Sequence, residues 1–380
     1  MEYVKLGDIC TKVCSGGTPT SSNPAYYDGN IPWLNTNEVN FCNIYSTNKT
    51  ISEEGLKKSA AKYVPENTVI VAMYGVTAGK CAIAKIPLTT NQACCNLIID
   101  KEKADYCYVY YYLRQQSDSL NKLAIGGAQQ NLNALTIKKF KIALPTLPTQ
   151  QKIASILSAY DRLIENNTRR IRLLEQMAEN IYKEWFVRFR FPEHEKVEMV
   201  NGLPKGWKIK RYEEELNIRY GKGLSTEQLK EEGYPVFGSN GQIGFYDSYM
   251  YDNPQILISC RGASSGIVNI SLPKSFITSN SLICERTEKT ESLYEYLKYY
   301  FLNNNLVQYQ TGSAQPQITI NNIVKLKLLV PELKVQRSFS EKIRVIDMEI
   351  YNLQSQIQLL TRQRDLLLPR LMSGKLEVKS

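Results

Sequence analysis

One stretch of the sequence occurs twice, and this repeat constrains the fold more than any other feature. Residues 127–145, GAQQNLNALTIKKFKIALP, are similar to residues 313–331, SAQPQITINNIVKLKLLVP. Ala128 aligns with Ala314, an offset of 186 residues, and the same offset continues without a gap to Leu174 and Leu360. Because a repeat of this kind marks a duplicated structural unit, the sequence predicts two tandem units.

A second similarity lies earlier in each unit. Residues 69–79, VIVAMYGVTAG, and 256–266, ILISCRGASSG, each place an apolar, strand-like run before a Gly-x-x-x-Gly loop. Each is followed by a Thr/Ser-Asn pair, Thr90-Asn91 in the first unit and Ser279-Asn280 in the second. Residues 17–39 and 233–251 show no convincing match, so each unit is expected to combine a diverged globular part with a similar helical part.

The globular parts are rich in Tyr, Ile, Val and Thr and are broken by clusters of Gly, Asn and Pro. This composition predicts short twisted strands and loops with a few helices, which is a mixed α/β domain. Residues 106–124 and 291–308 have the pattern of amphipathic helices, one before each copy of the repeated stretch.

The helical parts contain two heptad patterns of matching length. A helix of about 40 residues is roughly 60 Å long, more than a single domain needs for its own core. Each apolar seam therefore needs a partner, and an antiparallel pairing of the two seams would carry the globular units to opposite ends. The predicted seam residues are Leu157, Tyr160, Ile164, Ile171, Leu174 and Ile181 in the first helix, and Ile343, Ile346, Ile350, Leu353, Ile357, Leu360 and Leu367 in the second.

Two polar residues interrupt these seams, Asn167 and Arg364. A polar residue inside a seam lowers stability but can fix the register of the pairing. The alternative is that both side chains face solvent, and the sequence leaves the two interpretations open.

Charge and cysteine usage narrow the class of protein. The chain has 380 residues, with 47 Lys and Arg against 37 Asp and Glu, and its net charge of +10 favours a polyanionic partner. The beginning of the sequence lacks a basic leader and no apolar run is long enough to span a bilayer, so we expect a soluble, cytoplasmic protein without membrane contact. The nine cysteines form no CxxC pair, which favours buried free thiols over a zinc site or disulfides.

Motifs for catalysis fail on spacing or composition. The segment GVTAGKC at 75–81 has three residues between its glycines and a Cys after the Lys, whereas a phosphate-binding loop needs four and a Ser or Thr. The segment NPAYY at 23–27 lacks the second proline of a methyltransferase base-binding loop and has no accompanying cofactor loop. With His194 as the single histidine, a catalytic triad or a histidine metal site is excluded. The sequence predicts no catalytic residue and no metal ligand.

Several loops instead combine Gly with amide, hydroxyl, basic and aromatic side chains that can contact phosphates or base edges. For any single residue, ordinary turn chemistry explains the sequence equally well. The candidate DNA-binding residues of the first unit are Gly17, Thr18, Trp33, Asn35, Thr36, Tyr74, Gly75, Thr77, Lys80, Asn91, Gln92, Gln129, Gln130 and Asn131. Those of the second unit are Arg219, Lys222, Ser239, Asn240, Arg261, Ser264, Ser279, Asn280, Gln315 and Gln317.

Three segments resemble the specificity subunits of type I restriction-modification systems. They are GGTPTSSNPAYYDGNIPWLNTNEV at 16–39, the helix from LPTQQKIASIL to KEWF at 147–186, and LLPRLMSGKLEV at 367–378. The resemblance covers practically the whole chain. It implies an α+β fold in which two mixed α/β target-recognition domains are joined by two long helices that form an antiparallel coiled coil, as a pseudo-two-fold tandem repeat. The implied segments are target-recognition domain 1 (1–147), a central helix (148–190), target-recognition domain 2 (191–332), a C-terminal helix (333–374) and a tail (375–380).

The resemblance also implies a function without catalysis by this chain. Each target-recognition domain would read one half of a bipartite, asymmetric site in double-stranded DNA, and the helices would set the spacer and dock two methyltransferase subunits. The partners, together with restriction and motor subunits, would carry S-adenosylmethionine, ATP and Mg²⁺, with no cofactor on this chain, and would methylate adenine at N6 and cleave DNA. A specificity subunit of a type II system, a self-sufficient DNA methyltransferase and a coiled-coil scaffold that binds proteins are the alternatives.

Overall fold

The computed structural model of the chain describes residues 2–123, 131–312 and 315–378. The chain forms two compact units. Unit 1 consists of Met1–Asn167 and Ser355–Ser380, and unit 2 consists of Thr168–Gln354. Each long helix is thus divided between the units, whereas the sequence assigned each helix to a segment of its own.

Unit 1 is built on a five-stranded sheet of order β2-β9-β6-β7-β4, a three-stranded sheet β5-β3-β8 and the antiparallel pair β1-β10. Its strands are β1 (Glu2–Lys5), β2 (Cys10–Ser15), β3 (Tyr27–Leu34), β4 (Cys42–Ile44), β5 (Thr50–Ile51), β6 (Val69–Ala72), β7 (Cys81–Ala84), β8 (Thr89–Thr90), β9 (Cys94–Ile99) and β10 (Lys141–Leu144). Its shorter helices are α1 (Glu53–Lys57), α2 (Tyr106–Gln115), α3 (Ser117–Asn121) and α4 (Ala134–Lys139).

Unit 2 has a four-stranded sheet of order β14-β20-β17-β18, a three-stranded sheet β16-β15-β19 and the antiparallel pairs β13-β21 and β11-β12. Its strands are β11 (Met199–Val200), β12 (Leu203–Pro204), β13 (Lys208–Arg211), β14 (Leu216–Tyr220), β15 (Tyr234–Gly238), β16 (Gly241–Tyr246), β17 (Ile256–Ser259), β18 (Val268–Ile270), β19 (Phe276–Ile277), β20 (Ser281–Arg286) and β21 (Lys327–Val330). Its shorter helices are α6 (Tyr212–Glu215), α7 (Tyr294–Asn303) and α8 (Ile320–Ile323).

The two units share one strand order, which confirms the predicted duplication. β2-β9-β6-β7 of unit 1 corresponds to β14-β20-β17-β18 of unit 2, and the parallel pair β3-β8 corresponds to β15-β19. The regions around β3 and β15 are those in which the sequence shows no match. They are therefore equivalent in pairing although their residues have diverged.

Backbone hydrogen bonds show which residues of the two units are equivalent near the central strands. Met73 N donates to Ala93 O at 2.8 Å, and Cys260 N donates to Asn280 O at 3.0 Å. Both residues of the second bond lie 187 positions after those of the first, so Asn280 corresponds to Ala93. The pairs Thr90-Asn91 and Ser279-Asn280 therefore do not occupy equivalent positions, and the parallel bridges agree, since they pair Leu34 with Thr90 and Phe237 with Ile277.

Each unit has a hydrophobic core of its own. The strands β6, VIVA, and β17, ILIS, contain only buried residues, the pattern of strands covered on both faces. In unit 1 the buried face of α2 packs into the core through Tyr108 and Leu113. In unit 2 the corresponding helix α7 contributes Tyr296 and Phe301. Both helices are shorter than the predicted 106–124 and 291–308.

The long helices are α5 (Leu147–Tyr182), which continues into a π-helical turn at Lys183–Val187, and α9 (Leu333–Met372). The predicted spans were 148–190 and 333–374. None of the predicted seam residues is exposed: Leu157, Ile343, Ile346 and Leu353 are buried and the others are half-buried. The helices run antiparallel, since Asp161 pairs with Arg364 within unit 1 and Arg170 pairs with Glu349 within unit 2.

The two polar seam residues face their partner helix. Asn167 is buried and its Nδ2 donates to Gln356 Oε1 at 3.1 Å. Arg364 is buried and its Nη1 lies 2.5 Å from Asp161 Oδ1. The alternative in which both side chains face solvent is therefore wrong.

A glutamine at the start of each long helix joins that helix to the globular part of its unit. Gln150 Oε1 accepts a hydrogen bond from Asp105 N at 2.9 Å, and its Nε2 donates to Pro145 O at 2.8 Å. Gln336, at the same position of the repeat, accepts from Leu293 N at 2.7 Å and donates to Pro331 O at 2.8 Å. Both amides are buried, so each satisfies backbone groups that would otherwise lack a partner.

Candidate nucleic-acid interface

In unit 1, side-chain contacts join three of the predicted recognition loops. The Thr18 hydroxyl, in the loop after β2, donates to Gln92 Oε1 in the loop between β8 and β9. Asn91 Nδ2 in the same loop lies 3.4 Å from Asn35 Oδ1, at the end of β3. The strands end together at this point of the unit, so residues far apart in the sequence meet on one surface.

A fourth loop of unit 1 is fixed to the same surface. Thr77 Oγ1 donates to Thr36 O at 2.8 Å, which holds the loop after β6 against the end of β3. Lys80 Nζ donates to Asn40 Oδ1 at 2.9 Å at the far side of that loop. The first unit therefore presents hydroxyl, amide and ammonium groups, which are the groups that bind phosphates and base edges.

Unit 2 assembles a corresponding surface with other residues. Ser239 Oγ, after β15, donates to Asn280 O at 3.1 Å, before β20. The Ser264 hydroxyl, in the loop after β17, donates to Asn240 Oδ1. The Thr77 contact of unit 1 thus has a counterpart at Ser264, again between the loop after the central strand and the chain after the parallel strand.

Two further contacts extend the surface of unit 2. Arg261 forms an isolated antiparallel bridge with Gln317, which places the loop after β17 beside the chain before α8. Lys222 forms a parallel bridge with Thr278, and Ser279 N donates to Lys222 O at 2.9 Å. These residues come from four separate parts of the sequence.

Most predicted contact residues that the structure describes reach solvent. Exposed are Thr18, Tyr74, Gly75, Gln92, Asn131, Arg219, Lys222, Asn240, Arg261, Asn280, Gln315 and Gln317, and half-buried are Asn35, Thr36, Lys80, Asn91, Ser239, Ser264 and Ser279. Gln129 and Gln130 lie outside the described residues.

Three predicted contact residues are buried: Gly17, Trp33 and Thr77. Trp33 is only 4% exposed, and its indole Nε1 donates to Gly17 O at 2.9 Å. An indole that is buried and already hydrogen-bonded has no group left to read a base. We therefore assign these three residues to supporting the loops rather than to contacting a ligand.

Arg219 is exposed but already paired. Its Nη2 lies 2.7 Å from Glu285 Oε1 and 2.6 Å from the Tyr251 hydroxyl. The hydrogen bond with Tyr251, followed by that with Glu285, raises the pKa of Arg219 above its ordinary value. Burial is the main cause that raises the pKa of Tyr251 to about 12. Arg219 would have to leave this ion pair to read guanine.

The guanidinium of Arg261, unlike that of Arg219, is not held in an ion pair within the part of the chain that the structure describes. Within residues 2–123, 131–312 and 315–378, its guanidinium has no hydrogen bond or ion pair. Its five donors therefore remain available for a phosphate or a guanine edge.

Sequence reasoning missed Val76, in the loop after β6. Its side chain is 97% exposed, between Tyr74, which is also exposed, and the buried Thr77. A valine has neither donor nor acceptor, so a search for polar groups passes over it. The available signal was its position, because Val76 directly follows the first glycine of the Gly-x-x-x-Gly loop.

The described residues contain no group of His, Cys, Asp and Glu arranged to hold a metal ion. The part of the chain that the structure describes also contains no helix long and apolar enough to cross a membrane. All nine cysteines are free, and none is exposed. Five of them, Cys81, Cys94, Cys95, Cys260 and Cys284, are buried and the other four are half-buried, so the prediction of buried free thiols is confirmed for five of the nine.

Comparisons with known proteins agree on one family. The family model described as the type I restriction modification DNA specificity domain matches residues 1–176 and 204–361. The MjaIX type I restriction enzyme specificity subunit of Methanocaldococcus jannaschii is 28% identical over 404 aligned residues, covering 99% of this chain and 93% of that protein. The EcoprrI specificity subunit of Escherichia coli is 25% identical over 358 residues, covering 88% and 85%.

One crystal structure has a similar fold over nearly the full length. It is the S subunit of a type I restriction-modification system from M. genitalium, with a TM-score of 0.64 and 20% sequence identity. The alignment covers 97% of this chain and 95% of that one.

Proposed function

Because the chain belongs to the type I restriction modification DNA specificity domain family, we propose that it is the sequence-recognition subunit of a type I restriction-modification complex. Each unit reads one half of a bipartite DNA site, and the chain itself carries no catalytic group. The net charge of +10 supports binding to the phosphate backbone.

One observation carries this proposal: the same strand order supports the recognition surface of both units, while the side chains on the two surfaces differ. The first surface contains Tyr74, Val76 and Gln92, and the second contains Arg261 and Asn280 at its exposed positions. Two units with the same strand order but different exposed side chains suit two half-sites of different sequence. The full site is therefore asymmetric.

The long helices support docking of two methyltransferase subunits, which would supply S-adenosylmethionine, while restriction and motor subunits would supply ATP hydrolysis with Mg²⁺. Both helices expose apolar side chains away from their seams, and such side chains favour protein contacts. They are Ile156, Leu163, Leu359 and Leu366 in unit 1, and Leu173, Met177, Val345, Met348 and Tyr351 in unit 2.

Docking is tested by charge substitution on one unit at a time. The double variant Leu163→Glu, Leu359→Glu is expected to bind one methyltransferase subunit where the wild type binds two, as measured by native mass spectrometry. The matched change in unit 2 is Leu173→Glu with Met348→Glu. Retention of two subunits by the variant altered on both units would contradict docking on these faces.

The function is tested by expressing the chain together with a type I methyltransferase subunit from the same organism. Sequencing of methylated adenines in cells that express both is expected to give one asymmetric bipartite site. The purified chain alone is expected to leave S-adenosylmethionine and DNA unchanged. Methylation by the chain alone would favour a self-sufficient enzyme, and a complex without sequence preference would refute the proposal.

We further propose that the lengths of α5 and α9 set the spacer between the half-sites. The 36 residues of α5 correspond to about 54 Å, and one turn of B-DNA to about 34–36 Å. A block of about seven residues added to both helices preserves the heptad pattern. It is expected to lengthen the spacer in the methylation map, and an unchanged spacer would eliminate this role.

A further inference from the structure

The loops after the central strands of the two units have the same backbone. We call residues 74–77 tip loop 1 and residues 261–264 tip loop 2. Each follows a fully buried strand, β6 or β17. The glycine within tip loop 1, Gly75, has φ of +77°, and its counterpart Gly262 has φ of +76°. Left-handed backbone of this kind favours glycine, so both loops require glycine at this position.

Hydrogen bonds close the two loops in the same way. Ala78 N donates to Gly75 O at 3.0 Å, and Ser265 N donates to Gly262 O at 3.0 Å. After the loop, Gly79 N donates to Ala72 O at 2.9 Å, and Gly266 N donates to Ser259 O at 2.8 Å. Both closing glycines also have positive φ. The backbones are therefore interchangeable, and only the side chains distinguish the loops.

Each tip loop is also held by neighbouring chain on both sides. The repeated stretch holds the residue before each tip loop: Leu132 N donates to Met73 O and, in unit 2, Ile318 N donates to Cys260 O, both at 3.0 Å. Thr77 and Ser264 provide the side-chain contacts described above. A loop fixed in this way presents its exposed side chains in one orientation, which is what recognition of a base edge requires.

The exposed side chains have opposite chemistry. Tip loop 1 presents the ring of Tyr74 and the almost fully exposed Val76, an apolar surface. Tip loop 2 presents Arg261 and the small Ala263. A Cβ on Gly75 or Gly262 would meet no atom within 4 Å, so both tips have open space in front of them.

We infer that the two tip loops are equivalent base-reading elements, and that residues 74 and 76 in unit 1 and 261 and 263 in unit 2 determine the base accepted at corresponding positions of the two half-sites. The inference rests on the proposed function. An apolar tip suits the 5-methyl group of thymine, and the guanidinium of Arg261 suits the O6 and N7 acceptors of guanine. Unit 1 accepts thymine and unit 2 accepts guanine at this position.

The test exchanges the tips within the full complex with its methyltransferase. The double variant Tyr74→Arg, Val76→Ala gives unit 1 the side chains of tip loop 2, and Arg261→Tyr, Ala263→Val makes the reverse exchange. In the methylation map, each variant is expected to change preference at one or two adjacent positions of its own half-site by about 10-fold or more. The half-site read by the unaltered unit serves as the internal control.

Single variants decide the matter if an exchanged chain does not fold, as judged by its thermal melting. Val76→Ala and Arg261→Ala are each expected to relax one position of one half-site. Val187→Ala, an exposed valine in the π-helical turn, is the matched control and is expected to change neither half-site.

The outcomes separate this inference from the proposed function. Folded exchange variants that keep both wild-type half-sites, or that lose methylation at every sequence, would overturn the inference, and so would single variants that relax no position. In all these cases a wild-type chain that directs methylation to a bipartite site would leave the proposed function intact. A wild-type chain without sequence preference would refute the proposed function itself.

Discussion

The ion pair between Asp161 and Arg364 is the contact in the helix seam whose removal should cost most. Arg364 Nη1 lies 2.5 Å from Asp161 Oδ1, and only 8% and 14% of the two side chains are exposed. Asp161 Oδ2 also accepts a hydrogen bond from the Tyr111 hydroxyl at 2.6 Å and lies 3.9 Å from Arg114 Nη1. The carboxylate therefore has more partners than the guanidinium.

This imbalance predicts unequal effects of the two single substitutions. Asp161→Ala leaves Arg364 buried with Asp365 as its remaining anionic partner, at 2.9 Å, and should reduce the free energy of unfolding by about 3–5 kcal/mol. Arg364→Ala leaves Asp161 with Tyr111 and Arg114, so the expected loss is about 1.5–3 kcal/mol. The double variant should cost less than the sum, with a coupling energy of about 1–3 kcal/mol.

The chain contains its own control for this experiment. Arg170 and Glu349 form an ion pair of similar length, 2.6 Å, between the same two helices in unit 2, but their side chains are 50% and 40% exposed. Arg170→Ala is expected to cost less than about 1 kcal/mol, because solvent screens an exposed pair. The position corresponding to Arg364 in unit 2 is the buried Ala178, and Asp347, which corresponds to Asp161, pairs with Lys298 at 2.7 Å and accepts a hydrogen bond from the Tyr299 hydroxyl at 2.9 Å instead.

Urea unfolding followed by circular dichroism measures these differences, and hydrogen exchange of peptides from unit 1 and unit 2 assigns each change to its unit. Loss of protection in the Asp161→Ala variant should appear in unit 1. A cost for Asp161→Ala and Arg364→Ala no larger than that for Arg170→Ala would refute the reasoning from burial.

Three further predictions follow from the contacts described. Gln150→Leu and Gln336→Leu each leave a backbone N–H without its acceptor and should lower stability by about 1–3 kcal/mol, measured by thermal melting, and unchanged melting would contradict this. The buried thiol of Cys95, whose pKa burial raises to about 12, should react with Ellman's reagent at pH 8 far more slowly in the native chain than in urea, and equal rates would contradict its burial. Burial alone would raise the pKa of Glu295, but the hydrogen bond from Arg344 Nε at 2.6 Å lowers this pKa below its ordinary 4.5. The ionised Glu295 therefore stabilises the fold above pH 4.5, and this contribution is lost as the pH falls through the lowered pKa. The stability difference between the wild type and Arg344→Ala should therefore narrow between pH 6 and pH 3 in acid unfolding, and a constant difference would contradict this.

The duplication and the seams could be predicted from the sequence because both are periodic. A fixed offset and a seven-residue spacing are visible in one chain without knowledge of distant contacts. Periodicity could not decide whether the side chains of Asn167 and Arg364 face the partner helix or solvent. Their partners, Gln356 and Asp161, lie about 190 and 200 residues away, and the register that brings them together depends on the packing of whole helices.

The sequence predicted which loops carry the candidate contact residues, but not which of those residues are exposed. The structure brings the predicted Gly-rich polar loops together in each unit, yet composition did not separate Trp33, which is buried, from Tyr74, which is exposed. The correspondence of β3 with β15 was invisible because parallel strand pairing uses backbone groups, which place few demands on side chains. Val76 was not predicted because its side chain carries no polar group.

The division of the chain has a genetic consequence. Leu368, Leu371 and Met372, close to the end of the sequence, belong to the hydrophobic core of unit 1 rather than unit 2. A nonsense mutation at codon 355 would therefore leave the globular part of unit 2 complete and would remove apolar residues that cover the core of unit 1. A mutation in the codons of α9 would in this way destabilise the globular part that is translated first.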